Sequence, residues 1–366
     1  MLKALIIITG GIRREGITCT QLNYMAKMDK TDMQIDYAAV HNNDHNIYSE
    51  FNEMNCKVIE FPDRKKHVLQ YIKKIYKHIK KERYDIVHVH GSSAILSIEL
   101  LIAKLTKVKV RIVHSHNTKN SHILIDKLLR LIFHNLYTDA FACGQEAGKW
   151  LFGKKSFTVI NNGIDLKKYT YNEEMRSQYR KKYHWEEKIV IGHVGTFNPS
   201  KNHKFLIEIF CKLASLNNKY VFCLIGDGIE KHHIEMIVQQ YGLNDRVVFT
   251  GSIDYVHYLL QSMDLMLLPS LFEGLPNVVL EWQAAGLPCI ISESVSKECS
   301  LTPLTHFLPI ENIDSWVKMI ESFDYPDRTR NAKTYIDMLR AAGYDLCENA
   351  TELKKLYYSL LYNPSN

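Results

Sequence analysis

Short apolar runs alternate with helix-like patterns along the whole of this 366-residue chain. Such alternation is typical of parallel α/β layers, in which each buried strand leads into an amphipathic helix. Helical periodicity is clear at 204–215, 232–241 and 256–262. The pattern predicts strands at 2–9, 34–40, 57–61, 86–90, 110–114, 140–143, 158–160, 188–194, 220–225, 247–250, 265–268, 288–291 and 306–308.

The alternation restarts near residue 188, after a charged segment that is poor in strand-like runs. A chain of this length is expected to form about two domains of roughly 100–200 residues each. We therefore predict two doubly wound domains, at 1–165 and 188–345, with a connector at 166–187 and a cleft between them. Apolar residues recur on one helical stripe within 346–366. This last segment is predicted to be a helix that packs back on the N-terminal domain.

Composition excludes several classes of protein. With 46% hydrophobic and 23% charged residues the chain is neither disordered nor collagen-like. No apolar run approaches the ~18 residues of a transmembrane helix. The first apolar run stops at Gly10-Gly11, too early for a signal-peptide core. The eight cysteines show no CxxC pair or metal-ligand spacing, which indicates free thiols in a reducing, cytoplasmic location.

Charge is divided unevenly between the two halves. Residues 1–185 contain 31 Lys and Arg against 18 Asp and Glu, whereas residues 186–366 contain 15 against 22. The first half is therefore expected to meet an anionic partner. Its basic segments at 64–83 and 121–137 are either solvated faces over a buried stripe or a surface that rests on anionic lipid at the inner face of the membrane. Nucleic acid is not predicted as a partner, because an aromatic-rich basic groove is missing.

The segment after the strand at 265–268 contains the largest group of candidate ligand-binding residues. Ligands of doubly wound sheets bind at the carboxyl ends of strands, where loops lead into helices. Glu273 and Glu281 flank a helix start here, and their carboxylates could accept hydrogen bonds from sugar hydroxyls; the alternative is two solvated charges beside a core helix. Backbone N–H groups at a helix start form an anion site for a diphosphate. That site is predicted at Gly274, Leu275, Pro276, Asn277 and Val278, with the proline in the first helical turn.

Glu273 and Glu281 also reproduce the E-x7-E signature of the retaining family-4 glycosyltransferases. The sequence resembles that family, in the same order, at 159–165, 195–202, 224–228, 249–251 and 270–274. The resemblance covers residues 110–295 well and the first 100 in outline, and it is greatest to enzymes that build bacterial capsular polysaccharide or exopolysaccharide. It implies the GT-B fold of two Rossmann-like domains. It also implies transfer of a sugar, with retention of configuration, from a nucleotide-diphosphate donor such as a UDP-sugar to a lipid-linked or saccharide acceptor, with no cofactor or obligatory metal.

The resemblance assigns roles to three catalytic residues. Lys201 matches the lysine that stabilises the leaving diphosphate, where negative charge grows during the reaction. Glu273 is expected to position sugar hydroxyls and stabilise positive charge at the anomeric carbon, while the leaving phosphate takes the acceptor proton. His116 matches a histidine that contacts the donor sugar. His114 points the same way along an extended strand, so the choice between the two stays open. A metal is not expected here, because no third ligand has suitable spacing.

The remaining predictions concern donor binding. Glu281 is expected to hold the ribose hydroxyls. Many family members carry Arg at the position of Thr196, so another cation is required, and Arg13 or Arg14 could supply it. The other predicted donor-binding residues are Gly11, Gly16, Asn198, Gly226, Gly251 and Ile253.

Two other functions remain open on the sequence. A nucleotide-sugar 2-epimerase shares the fold and would release a free epimer without an acceptor. A non-catalytic nucleotide-sugar-binding subunit is the second alternative, and the threonine at position 196 makes it conceivable.

Overall fold

The computed structural model describes residues 1–117 and 123–362. All the strands predicted above are present, and they form two parallel sheets. The first sheet has the order β3-β2-β1-β4-β5-β6-β7. Its strands are β1 (Leu2–Ile8), β2 (Met33–Ala39), β3 (Lys57–Glu60), β4 (Ile86–Gly91), β5 (Val110–Ser115), β6 (Asp139–Ala142) and β7 (Thr158–Val159).

The second sheet repeats this plan with six strands in the order β10-β9-β8-β11-β12-β13. Its strands are β8 (Ile189–Val194), β9 (Tyr220–Ile225), β10 (Val247–Gly251), β11 (Leu265–Leu268), β12 (Cys289–Ser292) and β13 (Thr305–Leu308). In both sheets the strand order reverses direction beside the first strand, as expected of doubly wound Rossmann-like domains.

Most of the α-helices lie between successive strands, as parallel pairing requires, and the last three follow β13. They are α1 (Gly16–Lys27), α2 (Tyr48–Glu53), α3 (Val68–Glu82), α4 (Ser97–Leu105), α5 (Ile123–Phe133), α6 (Gln145–Phe152), α7 (Leu166–Tyr169), α8 (Glu173–Tyr183), α9 (His203–Leu216), α10 (Lys231–Gln240), α11 (Val256–Leu259), α12 (Asn277–Ala284), α13 (Ile313–Glu321), α14 (Arg328–Ala341) and α15 (Leu346–Tyr362). Across 1–117 and 123–362, none of them is both long and apolar enough to span a membrane.

The chain divides into two compact units. The first comprises residues 1–163 together with the C-terminal segment from Gly343, and the second comprises residues 164–342. The segment 166–187, which the sequence analysis set apart as a connector, belongs to the second unit. Side chains cap both of its helices, because Asp165 accepts from the Lys168 N–H and Asn172 from the Met175 N–H.

Ion pairs attach helix α8 to the rest of the second unit. Arg176 and Arg180 both contact the carboxylate of Asp264, at 2.5 and 3.0 Å. All three side chains are largely buried, and the guanidinium groups also donate to backbone carbonyls. These charge-assisted hydrogen bonds attach the segment 166–187 to the second unit.

Helix α15 packs within the first unit. Its buried residues Leu346, Ala350, Leu353 and Tyr357 share a core with the sheet and with α1. Burying a leucine side chain stabilises the fold by about 1.5–3 kcal/mol. The stripe recognised in the sequence is therefore the inner face of this helix.

Helix α3 lies within the predicted basic segment 64–83 and is strongly two-sided. Tyr71, Ile75 and Ile79 are buried, whereas the lysines at 73, 74, 77, 80 and 81 are exposed. Arg64 departs from this pattern, because its guanidinium lies 3.0 Å from the fully buried carboxylate of Glu99. In the other basic segment, 121–137, residues 121 and 122 lie outside the described residues.

Candidate active site

In the second unit, the loops that follow β8, β9 and β10 are bound to one another through their backbones. Their N–H groups donate from Gly195 to Ile225 O (3.0 Å), from Phe197 to Asp227 O (2.9 Å) and from Gly226 to Gly251 O (3.0 Å). Gly226 has φ +141°, and a Cβ there would lie 2.0 Å from the carbonyl oxygen of Gly195. Glycine is required at 226 because two backbones meet there, a constraint separate from its predicted place in the donor pocket.

Gly251 and Ile253, also predicted at this pocket, lie at the end of β10. Gly251 has φ +68°, and the space around its Cα is open apart from the Lys231 ammonium, 3.8 Å from an added Cβ. Ile253 is half-buried and packs on the unit's hydrophobic core. Ile253 therefore fixes this turn to the core, while the space beside Gly251 stays open.

Lys201 ends a short turn that is organised by Asn198. The Asn198 side-chain oxygen accepts from the Lys201 N–H (3.3 Å) and from the Ser200 hydroxyl (2.7 Å). Asn198 thus acts as a capping residue for residues 199–201. Thr196 is exposed just before this turn.

Lys201 and Glu273 come together although they are 72 positions apart in sequence. The Lys201 ammonium lies 2.5 Å from Glu273 Oε1, and both side chains are mostly buried, at 14% and 20% exposure. Ser270 donates its hydroxyl to the same carboxylate oxygen at 3.2 Å. The glutamate backbone also bridges to Val295. Two of the three predicted catalytic residues are therefore neighbours in one ion pair.

The helix after Glu273 begins later than expected. Helix α12 starts at Asn277, and Pro276 occupies the N-cap position with φ −75° and ψ 107° instead of lying in the first turn. The extended ψ of this proline keeps Gly274 and Leu275 outside the helix. Val278 lies in the first turn, where backbone N–H groups lack intrahelical acceptors.

Glu281 lies on α12 and faces α7. The Tyr169 hydroxyl hydrogen-bonds to its carboxylate, and Lys168 is nearby. Burial disfavours the charged form and raises the pKa of Glu281 to about 7, although Tyr169 and Lys168 act in the opposite direction. Tyr169 could not be predicted from the sequence, because the packing of α7 on α12 is what brings it to the glutamate.

In the first unit, the two glycines of the loop after β1 differ. Gly11 has φ +98°, and a Cβ there would lie 1.8 Å from the carbonyl oxygen of His41. Gly16 begins α1 and has open space around it. Both arginines of this loop have acidic partners, Arg13 with Glu15 at 2.9 Å and Arg14 with Glu50.

Four histidines form an ordered array at the carboxyl ends of β4 and β5. The Nε2 of His88 lies 3.2 Å from His114 Nδ1, and the Nδ1 of His90 lies 2.8 Å from His116 Nε2. Along β5 the rings of His114 and His116 stack, with centroids 4.2 Å apart, and along β4 those of His88 and His90 lie 4.1 Å apart at a tilt of 30°. His88 Nδ1 also contacts the Tyr357 hydroxyl of α15 at 2.7 Å.

The array is largely enclosed. His88, His90 and His114 are buried, whereas His116 is half-buried and is the histidine with the more accessible ring. Burial lowers the pKa of all four side chains, which keeps the rings neutral. His88 and His90 were not predicted from the sequence. Their His-x-His spacing repeats that of His114 and His116, but only the pairing of β4 with β5 makes the four meet.

Comparison with known proteins agrees with this architecture. Residues 29–168 match the family described as Glycosyltransferase Family 4, and residues 175–321 match Glycosyl transferases group 1. A putative glycosyltransferase of Bacillus subtilis, EpsF, is 30% identical over 97% of this chain and 96% of its own. An Escherichia coli enzyme named UDP-Gal:alpha-D-GlcNAc-diphosphoundecaprenol alpha-1,3-galactosyltransferase is 28% identical over 79% of each chain.

The fold is shared with solved structures. Anabaena HepE, crystallised with UDP and glucose, superposes with a TM-score of 0.79 at 17% identity, over 98% of this chain and all of that one. Two Rossmann-like parallel sheets, matches to both families and a relative spanning nearly the whole chain agree with one another. The chain belongs to the family-4 glycosyltransferases and has their GT-B fold.

Proposed function

We propose that this chain is a retaining glycosyltransferase of polysaccharide biosynthesis, with a UDP-sugar as donor and a lipid-linked or saccharide acceptor. The observation that carries the proposal is the contact of Lys201 with Glu273 in the second unit. The name of the E. coli relative supports the donor and acceptor classes, since it specifies UDP-Gal and a diphosphoundecaprenol-linked sugar. The UDP in the Anabaena HepE crystals supports the same donor class.

In this proposal Lys201 neutralises the diphosphate as it leaves. Negative charge grows on the phosphates when the glycosidic bond breaks, and a fixed ammonium in a largely buried position stabilises that charge strongly. The donor phosphates compete with Glu273 for the ammonium, so donor binding loosens the ion pair. Glu273 is then available to position sugar hydroxyls and stabilise positive charge at the anomeric carbon. Protein cations supply this charge, and we propose that transfer requires no metal.

Glu281 in the second unit and His116 in the first are each proposed to contact the donor. Ribose hydroxyls donate to the Glu281 carboxylate, which Tyr169 already orients through its hydroxyl. The backbone around Gly226 and Gly251 lines the base and ribose pocket. His116, held by His90 at 2.8 Å, contacts the donor sugar.

Donor binding and product analysis test the proposal. UDP-, GDP- and ADP-sugars are screened by thermal shift, because a ligand at 100 times its Kd stabilises the protein by about 2.7 kcal/mol. We expect a UDP-sugar to stabilise most, and an acceptor to be required for sugar transfer with retained anomeric configuration. A free epimer formed without acceptor would instead identify a 2-epimerase. Donor binding with neither hydrolysis nor transfer over many acceptors would identify a binding subunit.

We further propose that the first unit rests on an anionic membrane surface on the cytoplasmic side. Helix α3 exposes a row of lysines, α4 packs between α3 and α5, and α5 exposes apolar side chains beside Lys127. Among these, Leu128 and Leu131 are 68% and 77% exposed. Exposed apolar groups flanked by lysines fit an interface with anionic lipid. The same surface would bring a lipid-linked acceptor to the enzyme.

A further inference from the structure

We propose that His88, His90 and His114 bind a divalent transition-metal ion of the Zn²⁺ type within the first unit. One ring nitrogen from each of these three histidines can be chosen so that all lie within 4.8 Å of one another. They are 1%, 0% and 4% exposed. Three histidines with a water as fourth ligand form a familiar tetrahedral zinc site.

Unused ring nitrogens are the main observation behind this proposal. Among the described residues, His90 Nε2 and His114 Nε2 are buried without a hydrogen-bond partner. A buried polar atom without a partner costs about 1–3 kcal/mol. Both of these atoms belong to one cluster of four rings, so a single ion could contact them together. An ion bound to both would remove that cost.

In His88 and His90 the second ring nitrogen is held as it usually is in metal-binding histidines. A ligating histidine commonly uses its second nitrogen to contact an outer partner that fixes its ring. Here His88 Nδ1 contacts the Tyr357 hydroxyl at 2.7 Å, and His90 Nδ1 contacts His116 Nε2 at 2.8 Å. These contacts leave Nε2 of both histidines for the ion. The ion would replace the longer contact, 3.2 Å, between His88 Nε2 and His114.

The ligand set decides the class of ion. Neutral imidazoles suit Zn²⁺, Co²⁺, Ni²⁺ and Cu²⁺, whereas Mg²⁺ and Ca²⁺ require oxygen ligands. Adjacent parallel strands supply all three histidines, so the ligands are held on rigid backbone. An ion on His90 Nε2 leaves the proton on Nδ1, where it donates to His116. The proposal concerns ion binding alone and does not depend on the transfer reaction.

Metal titration of the whole protein tests the site. The purified chain is freed of metal with a chelator and titrated with Co²⁺, whose visible absorption reports tetrahedral ligation, and with Zn²⁺ by calorimetry. We expect one equivalent of each ion per chain and a raised melting temperature with Zn²⁺. His90→Gln and His114→Gln should abolish the Co²⁺ bands. His134→Gln is the matched control, because His134 lies in the same unit and contacts Tyr137 instead.

A milder variant tests the site even if the histidine variants fail to fold. Tyr357→Phe removes only the hydroxyl that contacts His88, and loss of such an outer partner weakens metal binding about 10–100-fold. Wild-type protein that takes up no Co²⁺ or Zn²⁺ would overturn the proposal. Unchanged affinity in both His90→Gln and His114→Gln would overturn it as well, since the bound ion would then lie elsewhere.

Discussion

The ammonium of Lys201 lies 2.5 Å from the carboxylate of Glu273, so two residues that the family resemblance links to one reaction form an ion pair. Their loops follow β8 and β11, which are neighbours in the second sheet. The carboxyl ends of parallel strands meet at one edge, and this edge is where ligands of doubly wound sheets bind. The ion pair therefore lies at the edge of the sheet where the proposed function places the donor diphosphate.

Replacing Lys201 by alanine removes the proposed diphosphate cation. We expect kcat to fall by roughly two to three orders of magnitude, the usual effect of losing a group that stabilises transition-state charge. Steady-state kinetics measures this. Lys204→Ala is the control, because its side chain is 70% exposed and its ammonium lies 3.9 Å from Glu208. A near-normal kcat for Lys201→Ala would show that the lysine has no role in the reaction.

Replacing Glu281 by glutamine keeps the side-chain shape and removes the charge. Donor binding at pH 8 should weaken by about 1–3 kcal/mol, the value of a hydrogen bond to a charged group. Calorimetry with the donor measures this. Glu293→Gln changes an exposed carboxylate of the same unit and should leave donor affinity unchanged. Equal donor affinity in wild type and Glu281→Gln would rule out the ribose role.

The raised pKa of Glu281, about 7, predicts a pH dependence. The donor requires the ionised carboxylate, so below pH 7 binding must release a proton and affinity should fall by up to roughly tenfold per pH unit. The stability of the protein without donor should change with pH in the opposite direction to donor affinity. The folded chain holds this proton more tightly than the unfolded chain, so stability from this group falls as pH rises from about 4.5 to 7. Both trends should vanish in Glu281→Gln, and a flat wild-type profile would contradict them.

The two glycines after β1 should differ in their tolerance of a side chain. Gly11→Ala puts a Cβ against the His41 carbonyl at a positive φ, and should destabilise the fold by about 2 kcal/mol or more. Gly16→Ala begins a helix in open space and should be neutral or stabilising by about 0.4–1 kcal/mol. Melting temperatures of the two variants measure this difference. Equal destabilisation by both would contradict the close backbone approach of Gly11 to His41.

Removing lysines from α3 tests the membrane proposal. Lys73, Lys74, Lys77 and Lys81 are replaced together by glutamine. Each basic residue near an anionic surface contributes about 1 kcal/mol, so binding to anionic vesicles should weaken by several kcal/mol at most, and more visibly at low salt. Vesicle co-sedimentation measures this. Donor affinity and activity on a soluble acceptor analogue should be unchanged, whereas activity on lipid-linked acceptor in vesicles should fall.

A charge-matched control separates location from net charge. Four exposed lysines of the second unit are replaced by glutamine, namely Lys204, Lys219, Lys297 and Lys333. This variant should bind vesicles as the wild type does. Wild-type protein that ignores anionic vesicles even at low salt would mean that the α3 lysines form only a solvated face.

Local patterns accounted for much of the fold and part of the candidate site. A buried strand or an amphipathic helix is encoded in neighbouring residues, because the period of apolar side chains matches the period of the backbone. For this reason the strand positions, the inner stripe of α15 and the pairing of Glu273 with Glu281 on one segment could be predicted. Gly11 was predicted as a donor-binding residue from the family resemblance, and its close approach to His41 was not foreseen.

Contacts between distant segments required the tertiary structure. The order of strands in a sheet is set by packing of the whole domain, so only the pairing of β4 with β5 unites His88 and His90 with His114 and His116. Likewise, Arg64 is turned inward by Glu99, and Tyr169 reaches Glu281 through helix packing. Burial also decides charge, because a carboxylate that looks ordinary in sequence acquires a pKa near neutrality once it is removed from water. The sequence by itself determined which elements form, because their patterns are local, and the tertiary structure decided which of their side chains meet.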